Sequence, residues 1–139
     1  MLKIADADSE EHRSGSGNLV IAAVSCSLPP PDSEGLPRRG EEVLIQKGSR
    51  AHSLYRADRA EEVFLCRYEP NTAYQAGLAA AGLRLSAQDR RGSARIAELP
   101  GHPFYLATLF LPQLASSPGK PHPLIRAFVE AAGAEEAGR

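Results

Sequence analysis

The sequence predicts an α/β domain in which a mixed sheet is packed with at least two helices. Three observations lead to this prediction: short apolar runs rich in β-branched residues, two segments with apolar residues at helical spacing, and Gly- or Pro-rich breaks between them. The chain has 139 residues, 42% of them hydrophobic, which suits one small domain with a buried core. Because only 6% of the residues are aromatic, that core must rely mainly on aliphatic side chains.

Six segments have the length and composition of β-strands. Residues 19–24 form a β-branched run that ends just before three consecutive prolines, which supply no ladder donors. Residues 104–111 are apolar almost throughout, which predicts a strand at the centre of the sheet. The remaining predicted strands are shorter and cover 42–46, 63–68, 83–87 and 94–99.

Two helices are predicted from capping residues and apolar spacing. Asn71 occupies a favoured N-cap position, Tyr74 and Leu78 follow on one face, and Gly82 ends the helix. The last helix begins at Pro123, a residue favoured in the first helical turn, and continues with apolar residues at helical spacing.

The chain divides into three predicted parts. Residues 1–18 are polar and rich in Gly and Ser, so we expect a flexible segment there. Residues 19–132 hold the predicted elements, and 133–139 form a frayed tail. Since the predicted strands outnumber the helices that could cover both faces of a parallel sheet, we expect a partial domain whose front is missing.

Charge and hydropathy exclude several classes of protein. Sixteen basic residues nearly balance seventeen acidic ones, which argues against a broad nucleic-acid-binding surface. No run approaches the roughly 20 apolar residues that span a bilayer, and the acidic N-terminus does not resemble a secretory signal. We therefore expect a cytoplasmic protein that binds neither nucleic acid nor membrane, with Cys26 and Cys66 as reduced thiols.

Three segments carry a family pattern. Residues 67–71 read Arg-Tyr-Glu-Pro-Asn, and 98–108 read Glu-Leu-Pro-Gly-His-Pro-Phe-Tyr-Leu-Ala-Thr. Residues 117–132 begin with Ser-Pro, contain Pro-Leu and end with Phe-Val-Glu-Ala-Ala. In composition, order and spacing these segments resemble the glutamine amidotransferase region at the C-terminus of CTP synthases.

The resemblance is closest to a stand-alone group of CTP synthase C-terminal region-related proteins, which lack the synthetase domain. Residues 24–28 and 108–110 resemble that group's versions of the same segments. The resemblance covers about 19–132 and implies the second half of a class I glutamine amidotransferase-like (flavodoxin-like) domain. It also implies an ancestry in glutamine hydrolysis and pyrimidine nucleotide biosynthesis.

The residues that would hydrolyse glutamine are replaced in this chain. Family members use a Cys-His-Glu triad, with the cysteine on a Gly-x-Cys-x-Gly elbow, and no such elbow occurs here. Their Phe-His-Pro-Glu motif corresponds to Phe-Leu-Pro-Gln at 110–113. Leu111 cannot transfer a proton, and Gln113 cannot supply the charge that orients a histidine. We therefore predict no catalytic residues and a pseudoenzyme.

The other histidines and both cysteines have structural interpretations. His102 lies in a His-Pro-Phe turn shared with active relatives, and His122 occupies a helix N-cap position. His12 and His52 lie in polar segments that we expect to be exposed. Neither cysteine can lie at a helix N-terminus, so both are expected to be small buried hydrophobes. Since zinc-ligand spacing does not occur, no metal and no cofactor is predicted.

Ligand binding is the function that the sequence preserves best. Arg67 and Tyr68 match family residues that line the glutamine site, and a guanidinium can bind a carboxylate through two hydrogen bonds. The alternative for Arg67 is a surface salt bridge with Glu69 or with another acidic neighbour.

Three hypotheses about function stay open. The chain is a degenerate or truncated amidotransferase-like domain, inactive alone, or one subunit of a split enzyme whose nucleophile lies on another polypeptide. The third is a small binding or regulatory module that forms homo-oligomers through an uncovered sheet surface. Whether it is an enzyme in any of these settings is not decided by the sequence.

Overall fold

The computed structural model describes residues 2–12, 17–24, 39–65 and 67–137, which form two sheets and three α-helices. The smaller sheet has the strand order β1-β2-β5: β1 (Ala7–Ser9), β2 (Asn18–Ala23) and β5 (Tyr68–Pro70). The larger sheet has the order β4-β3-β6-β7-β8: β3 (Arg39–Ile45), β4 (Arg59–Phe64), β6 (Arg84–Gln88), β7 (Ala94–Glu98) and β8 (Leu106–Thr108). The helices are α1 (Arg50–Tyr55), α2 (Gln75–Ala80) and α3 (Pro123–Ala137).

The pairing pattern confirms the predicted α/β class with a mixed sheet. In the smaller sheet β1 runs parallel to β2, and β5 runs antiparallel to it. The pairs of the larger sheet are all antiparallel. None of the helices within the described ranges combines the length and apolar character needed to cross a bilayer.

The hydrophobic core lies on the larger sheet and is closed by residues from α1 and α3. Phe64 and Phe110 meet edge to face with ring centroids 5.7 Å apart, a favoured aromatic arrangement. The buried members of the core are mostly aliphatic, as expected from the composition: Val43, Ile45, Ala51, Phe64, Ala87, Ile96, Phe110 and Leu124.

The prediction of a central strand over 104–111 is wrong. Only Leu106–Thr108 forms a strand, β8, and it lies at the edge of the larger sheet. Beyond it the chain leaves the sheet, because the Thr108 hydroxyl donates to the Phe110 carbonyl and the Leu111 N–H donates to the Val63 carbonyl. Phe110 is 1% exposed although it is not in a strand. The apolar residues around it therefore indicate burial in the core and not strand pairing.

The predicted strand over 63–68 is two strands in different sheets. β4 ends at Phe64 and β5 begins at Tyr68, so the chain passes from the larger sheet to the smaller one between them. Cys66 in this connection, like Cys26, lies outside the described residues.

Helix α1 was not predicted because its sequence has no apolar stripe. It contains His52, which was expected to be exposed but has 30% side-chain exposure and places Nε2 3.0 Å from Asp58 Oδ1. The Ser49 hydroxyl caps the helix by accepting from the His52 N–H, at 3.0 Å. His12 is exposed, as predicted.

The N-terminal residues include paired backbone. Within the segment 1–18, whose flexibility stays a prediction, β1 pairs with β2 from Ala7 opposite Asn18 to Ser9 opposite Ile21. The Asn18 side chain also donates to the Ala5 carbonyl at 2.8 Å. The proposed boundaries at 19 and 132 likewise stay predictions.

Candidate functional site

The segment that carries Arg67 and Tyr68 is held against β2. The Val24 N–H donates to the Arg67 carbonyl at 2.8 Å, and Tyr68 pairs with Ala23 in the antiparallel ladder. At the other end, the Asn71 side chain donates to the Leu19 carbonyl at 2.8 Å. Five consecutive residues are thus anchored through their backbone and one amide, which leaves the Arg67 side chain exposed and Tyr68 half-buried.

The salt bridge between Arg67 and Glu69 that the sequence allowed does not form. Glu69 is 8% exposed, and its Oε2 lies 3.0 Å from Arg95 Nη1. Alternation along β5 places neighbouring side chains on opposite faces, so Glu69 turns inward. No ion pair is formed by Arg67 with any other described residue, and its side chain is exposed.

A buried charge cluster fixes β5 to the hairpin between β6 and β7. Arg95 is 4% exposed and places Nη2 2.7 Å from Asp89 Oδ2, while its guanidinium lies 5.1 Å from the centre of the Phe64 ring. Glu69 and Asp89 therefore share one arginine. Glu41 lies at the rim, 3.6 Å from Arg95 Nη2.

The carboxyl group of Asp89 is stabilised in its charged form. Burial raises the pKa of Asp89, but the hydrogen bonds from the Ser93 N–H and from Arg95 outweigh burial and hold that pKa below its ordinary value. Arg91 also pairs with Asp89, at 3.1 Å. Sequence reasoning missed this cluster, because its members are separated along the chain and are not marked by any motif.

Leu111 and Gln113, which the resemblance led us to expect in place of a catalytic histidine and glutamate, lie just after the core residue Phe110. Leu111 is half-buried, and its N–H donates to the Val63 carbonyl at 3.1 Å, which places it beside the end of β4. Gln113 is exposed in the 3₁₀ turn Pro112–Ala115. Since β4 leads within a few residues to Arg67, Leu111 lies next to the strand end from which the candidate binding segment starts.

A second buried group joins Tyr55, Glu62 and His122. His122 Nε2 lies 3.0 Å from Glu62 Oε1, and the Tyr55 hydroxyl donates to the same carboxylate oxygen. His122 also fulfils its predicted role as N-cap, because its Nδ1 accepts from the Leu124 N–H. Burial, together with the adjacent Glu62 carboxylate, raises the pKa of Tyr55 well above its ordinary value.

His102 has the structural role that its turn predicted. It is exposed, and its Nδ1 accepts from the Phe104 N–H at 3.2 Å. Its carbonyl accepts from Arg50 Nη2 at 3.3 Å, which ties the turn to α1. Across the part of the chain that the structure describes, no three His, Cys, Asp or Glu side chains gather in a way that could hold a metal ion.

Comparison with known proteins connects this geometry to one family. The chain is 49% identical over 87 residues to the CTP synthase of Chloroflexus aurantiacus, which covers 61% of this chain and 16% of that protein. It is 41% identical over 132 residues to the CTP synthase of Methanoculleus marisnigri, a match that covers 94% of this chain and 24% of that protein. The CTP synthase of Nitratidesulfovibrio vulgaris is 36% identical over 151 aligned positions, which cover 99% of this chain and 28% of that protein. No protein-family model matches the chain.

A solved structure agrees with the sequence comparison. The glutaminase domain of Trypanosoma brucei CTPS with bound acivicin has a TM-score of 0.77 and 31% identity, over 92% of this chain and 51% of that chain. The chain thus spans about half of that solved chain, and between 16% and 28% of the three curated relatives above. In sequence and in fold, the chain corresponds to part of the glutamine amidotransferase region of CTP synthase.

Proposed function

We propose that this chain is a degenerate glutamine amidotransferase-like domain that binds a glutamine-like molecule but does not hydrolyse glutamine by itself. The observation that carries the proposal is the pair Leu111 and Gln113. By the family pattern, both would stand where relatives have a histidine and a glutamate, and Leu111 donates to the Val63 carbonyl near the end of β4. Without a proton-transferring group there, a thiol is not activated and departing ammonia is not protonated.

The binding half of the proposal rests on Arg67. Its side chain is exposed and has no ion-pair partner among the described residues, while its backbone is fixed against Val24. A guanidinium can bind a carboxylate through two charge-assisted hydrogen bonds. The solved CTPS domain contains acivicin, a glutamine analogue, which supports a ligand of this class. Tyr68 would line the same site from β5.

A second candidate is that a separate polypeptide supplies the nucleophile. The match covers 51% of the solved CTPS chain, so about half of that chain has no counterpart in the present sequence. Because Leu111 cannot act as a general base, such a complex would bind glutamine or hydrolyse it only very slowly. In either setting we place the chain in the cytoplasm and in pyrimidine nucleotide metabolism.

Ammonia release tests the catalytic half of the proposal. The purified full chain is incubated with L-glutamine, and ammonia is measured against a blank without protein. We expect no release above the blank. Release that disappears in Cys26→Ala or in Cys66→Ala would overturn the proposal, because it would identify a working nucleophile.

Titration calorimetry with L-glutamine tests the binding half. Loss of a doubly hydrogen-bonded carboxylate is worth roughly tenfold or more in affinity, so we expect Arg67→Ala to weaken binding by at least that factor. Arg126→Ala is the matched control, since Arg126 is 57% exposed and contacts only Glu130 among the ion pairs of the described residues. Equal binding by both variants, or no binding by the natural chain, would contradict the role of Arg67.

A further inference from the structure

Helix α3 has apolar residues on two adjacent faces, and only one of these faces packs on the core. Leu124 and Ala127 are buried, and Leu124 belongs to the core cluster. The second face carries an apolar stripe at the spacing i, i+3, i+4 and i+7, formed by Ile125, Phe128, Val129 and Ala132. A stripe with this spacing is the surface that a helix normally buries, yet here it lies on the outside of the molecule.

The stripe is open to solvent at its centre. Phe128 is 58% exposed and Val129 is 62% exposed, more than any other large apolar residue in the described ranges. Ile125 is half-buried and Ala132 is exposed. At one edge the ring of Phe128 meets that of Phe104, with centroids 5.8 Å apart, which holds this edge against the protein. Neighbouring exposed apolar side chains of this size mark an interaction surface, whereas isolated ones do not.

Two opposite charges beside the stripe indicate what covers it. Arg126 and Glu130 are one turn apart on the same side of α3, and their side chains are 57% and 69% exposed. Their contact within the chain is loose, because Arg126 Nε and Glu130 Oε1 are 3.7 Å apart. When two helices pack antiparallel about a two-fold axis, the same side of each comes together, and residue i faces residue j as j faces i. An axis beside Phe128 therefore places Arg126 opposite Glu130 of the partner subunit, and this contact occurs twice.

The apolar residues of the stripe follow the same symmetry. With the axis between Phe128 and Val129, Phe128 lies opposite Val129 of the partner subunit. Ile125 then lies opposite Ala132 of the partner subunit. Each large side chain thus meets a smaller one, which allows the two helices to interdigitate. The axis positions favoured by the charges and by the stripe differ by half a residue, about 0.75 Å along a helix, which long charged side chains can accommodate.

From the exposed stripe and its flanking charges, we propose that α3 is an interface between two copies of this chain, packed antiparallel about a two-fold axis. The two stripes remove each other from water, and the paired charges set the direction of packing. Because one pair of helices forms a small interface, we expect monomer and dimer to be in equilibrium at micromolar concentration. The interface does not depend on the proposed glutamine site and would persist if that proposal were wrong.

Sedimentation velocity of the full chain across the micromolar range tests this interface. We expect the sedimentation coefficient to rise with concentration, from the value of a monomer towards that of a dimer. Val129→Glu places a charge at the exposed centre of the stripe, so it should weaken dimerisation roughly a hundredfold. Leu2→Glu is the matched control, because Leu2 is also exposed but lies beside Gly77 of α2, and it should leave dimerisation unchanged.

Charge reversal tests the antiparallel pairing itself. Arg126→Glu alone and Glu130→Arg alone each turn two attractive contacts into two repulsive ones, so each variant should dimerise roughly tenfold more weakly than the natural chain. A mixture of the two variants should associate as well as the natural chain, because each then presents the charge that the other lacks. Far-UV circular dichroism shows whether each variant keeps its helices.

Three results would overturn the interface. The first is a natural chain that stays monomeric at every concentration, a measurement that needs no variant to fold. The second is undiminished dimerisation of a folded Val129→Glu variant, because the stripe would then lie outside the contact. The third is a mixture of the two charge variants that associates no better than either variant alone.

Discussion

The Nε2 atom of His122 lies 3.0 Å from the Oε1 atom of Glu62, and both side chains are almost entirely buried. Because Nδ1 of the same ring accepts from the Leu124 N–H, the ring proton lies on Nε2 and is donated to the carboxylate. Tyr55 donates to the same oxygen from the end of α1. The three side chains therefore join α1 and β4, which are neighbours in the chain, to the start of α3, 60 positions beyond Glu62.

We predict that His122→Ala lowers the free energy of unfolding by about 3 kcal/mol, because it leaves the buried Glu62 carboxylate without one of its donors. Tyr55→Phe should cost less, about 1–2 kcal/mol, since only the hydroxyl is lost. Urea unfolding measures both changes. His12→Ala is the control, since that side chain is 69% exposed and should change stability by less than about 0.5 kcal/mol. A similar small effect for His122→Ala would refute the structural role of the pair.

The lowered pKa of Asp89 leads us to predict that the folded chain loses stability in acid. Its pKa is lower in the folded chain than in the unfolded chain, so it contributes stability above the unfolded value of about 4. That contribution is lost as the pH falls through the folded pKa. Urea unfolding of the natural chain and of Asp89→Asn, compared between pH 7 and pH 3, should show a shallower pH dependence in the variant. Parallel pH profiles would contradict the prediction.

Glu98 predicts the stability of α1, which it caps from β7. Its Oε1 accepts from the Ala51 N–H at 2.7 Å and its Oε2 from the Arg50 N–H at 3.1 Å. Glu98→Ala should lower the free energy of unfolding by about 2–3 kcal/mol, because two N–H groups at the helix start lose their acceptor and a cavity forms. Glu98→Gln keeps one acceptor oxygen and should lower it by less. Thermal unfolding gives the ranking. Glu130→Ala, at a 69% exposed position, should have almost no effect.

Two glycines should respond to alanine in opposite directions. Gly82 has φ +96° at the C-terminal end of α2, and a Cβ would meet nothing within 4 Å, so the cost of Gly82→Ala is conformational strain of about 1 kcal/mol. Gly133 lies inside α3 with open space around it, so Gly133→Ala should stabilise by up to about 1 kcal/mol. Urea unfolding of the two variants tests the opposite signs. Stabilisation by Gly82→Ala would contradict the left-handed conformation of Gly82, and destabilisation by Gly133→Ala would contradict the open helical position of Gly133.

Restoring the family residues at 111 and 113 should not by itself restore hydrolysis. The double variant Leu111→His with Gln113→Glu would reintroduce a base and its orienting carboxylate, but the sequence has no Gly-x-Cys-x-Gly elbow to present a nucleophile. We expect ammonia release from glutamine to stay at the level of the blank. Release by the double variant that is removed by Cys26→Ala would instead show that this cysteine reaches the base.

Local signals in the sequence determined several elements of this protein. The Asn71 cap, the Gly82 stop and the start of α3 at Pro123 are where their residue types predicted. These features depend on backbone conformation and on contacts within a few residues. The family motifs likewise indicated the relationship to CTP synthase, because motif order is a property of the chain itself. That Leu111 and Gln113 replace the catalytic histidine and glutamate stays a prediction.

The tertiary structure decided what the apolar and charged residues do. Apolar residues at 104–111 predicted a central strand, yet only β8 forms, because burial of Phe110 does not require strand pairing. Helix α1 has a local cap in Ser49, but two further N–H groups at its start donate to Glu98, which is 48 positions from Arg50. Glu69 is close enough to Arg67 in sequence to pair with it, but its side chain points inward from β5 and pairs with Arg95 instead. Long-range contacts of this kind leave no periodic or local mark in the sequence, so the partner of Glu69 is seen only in the folded chain.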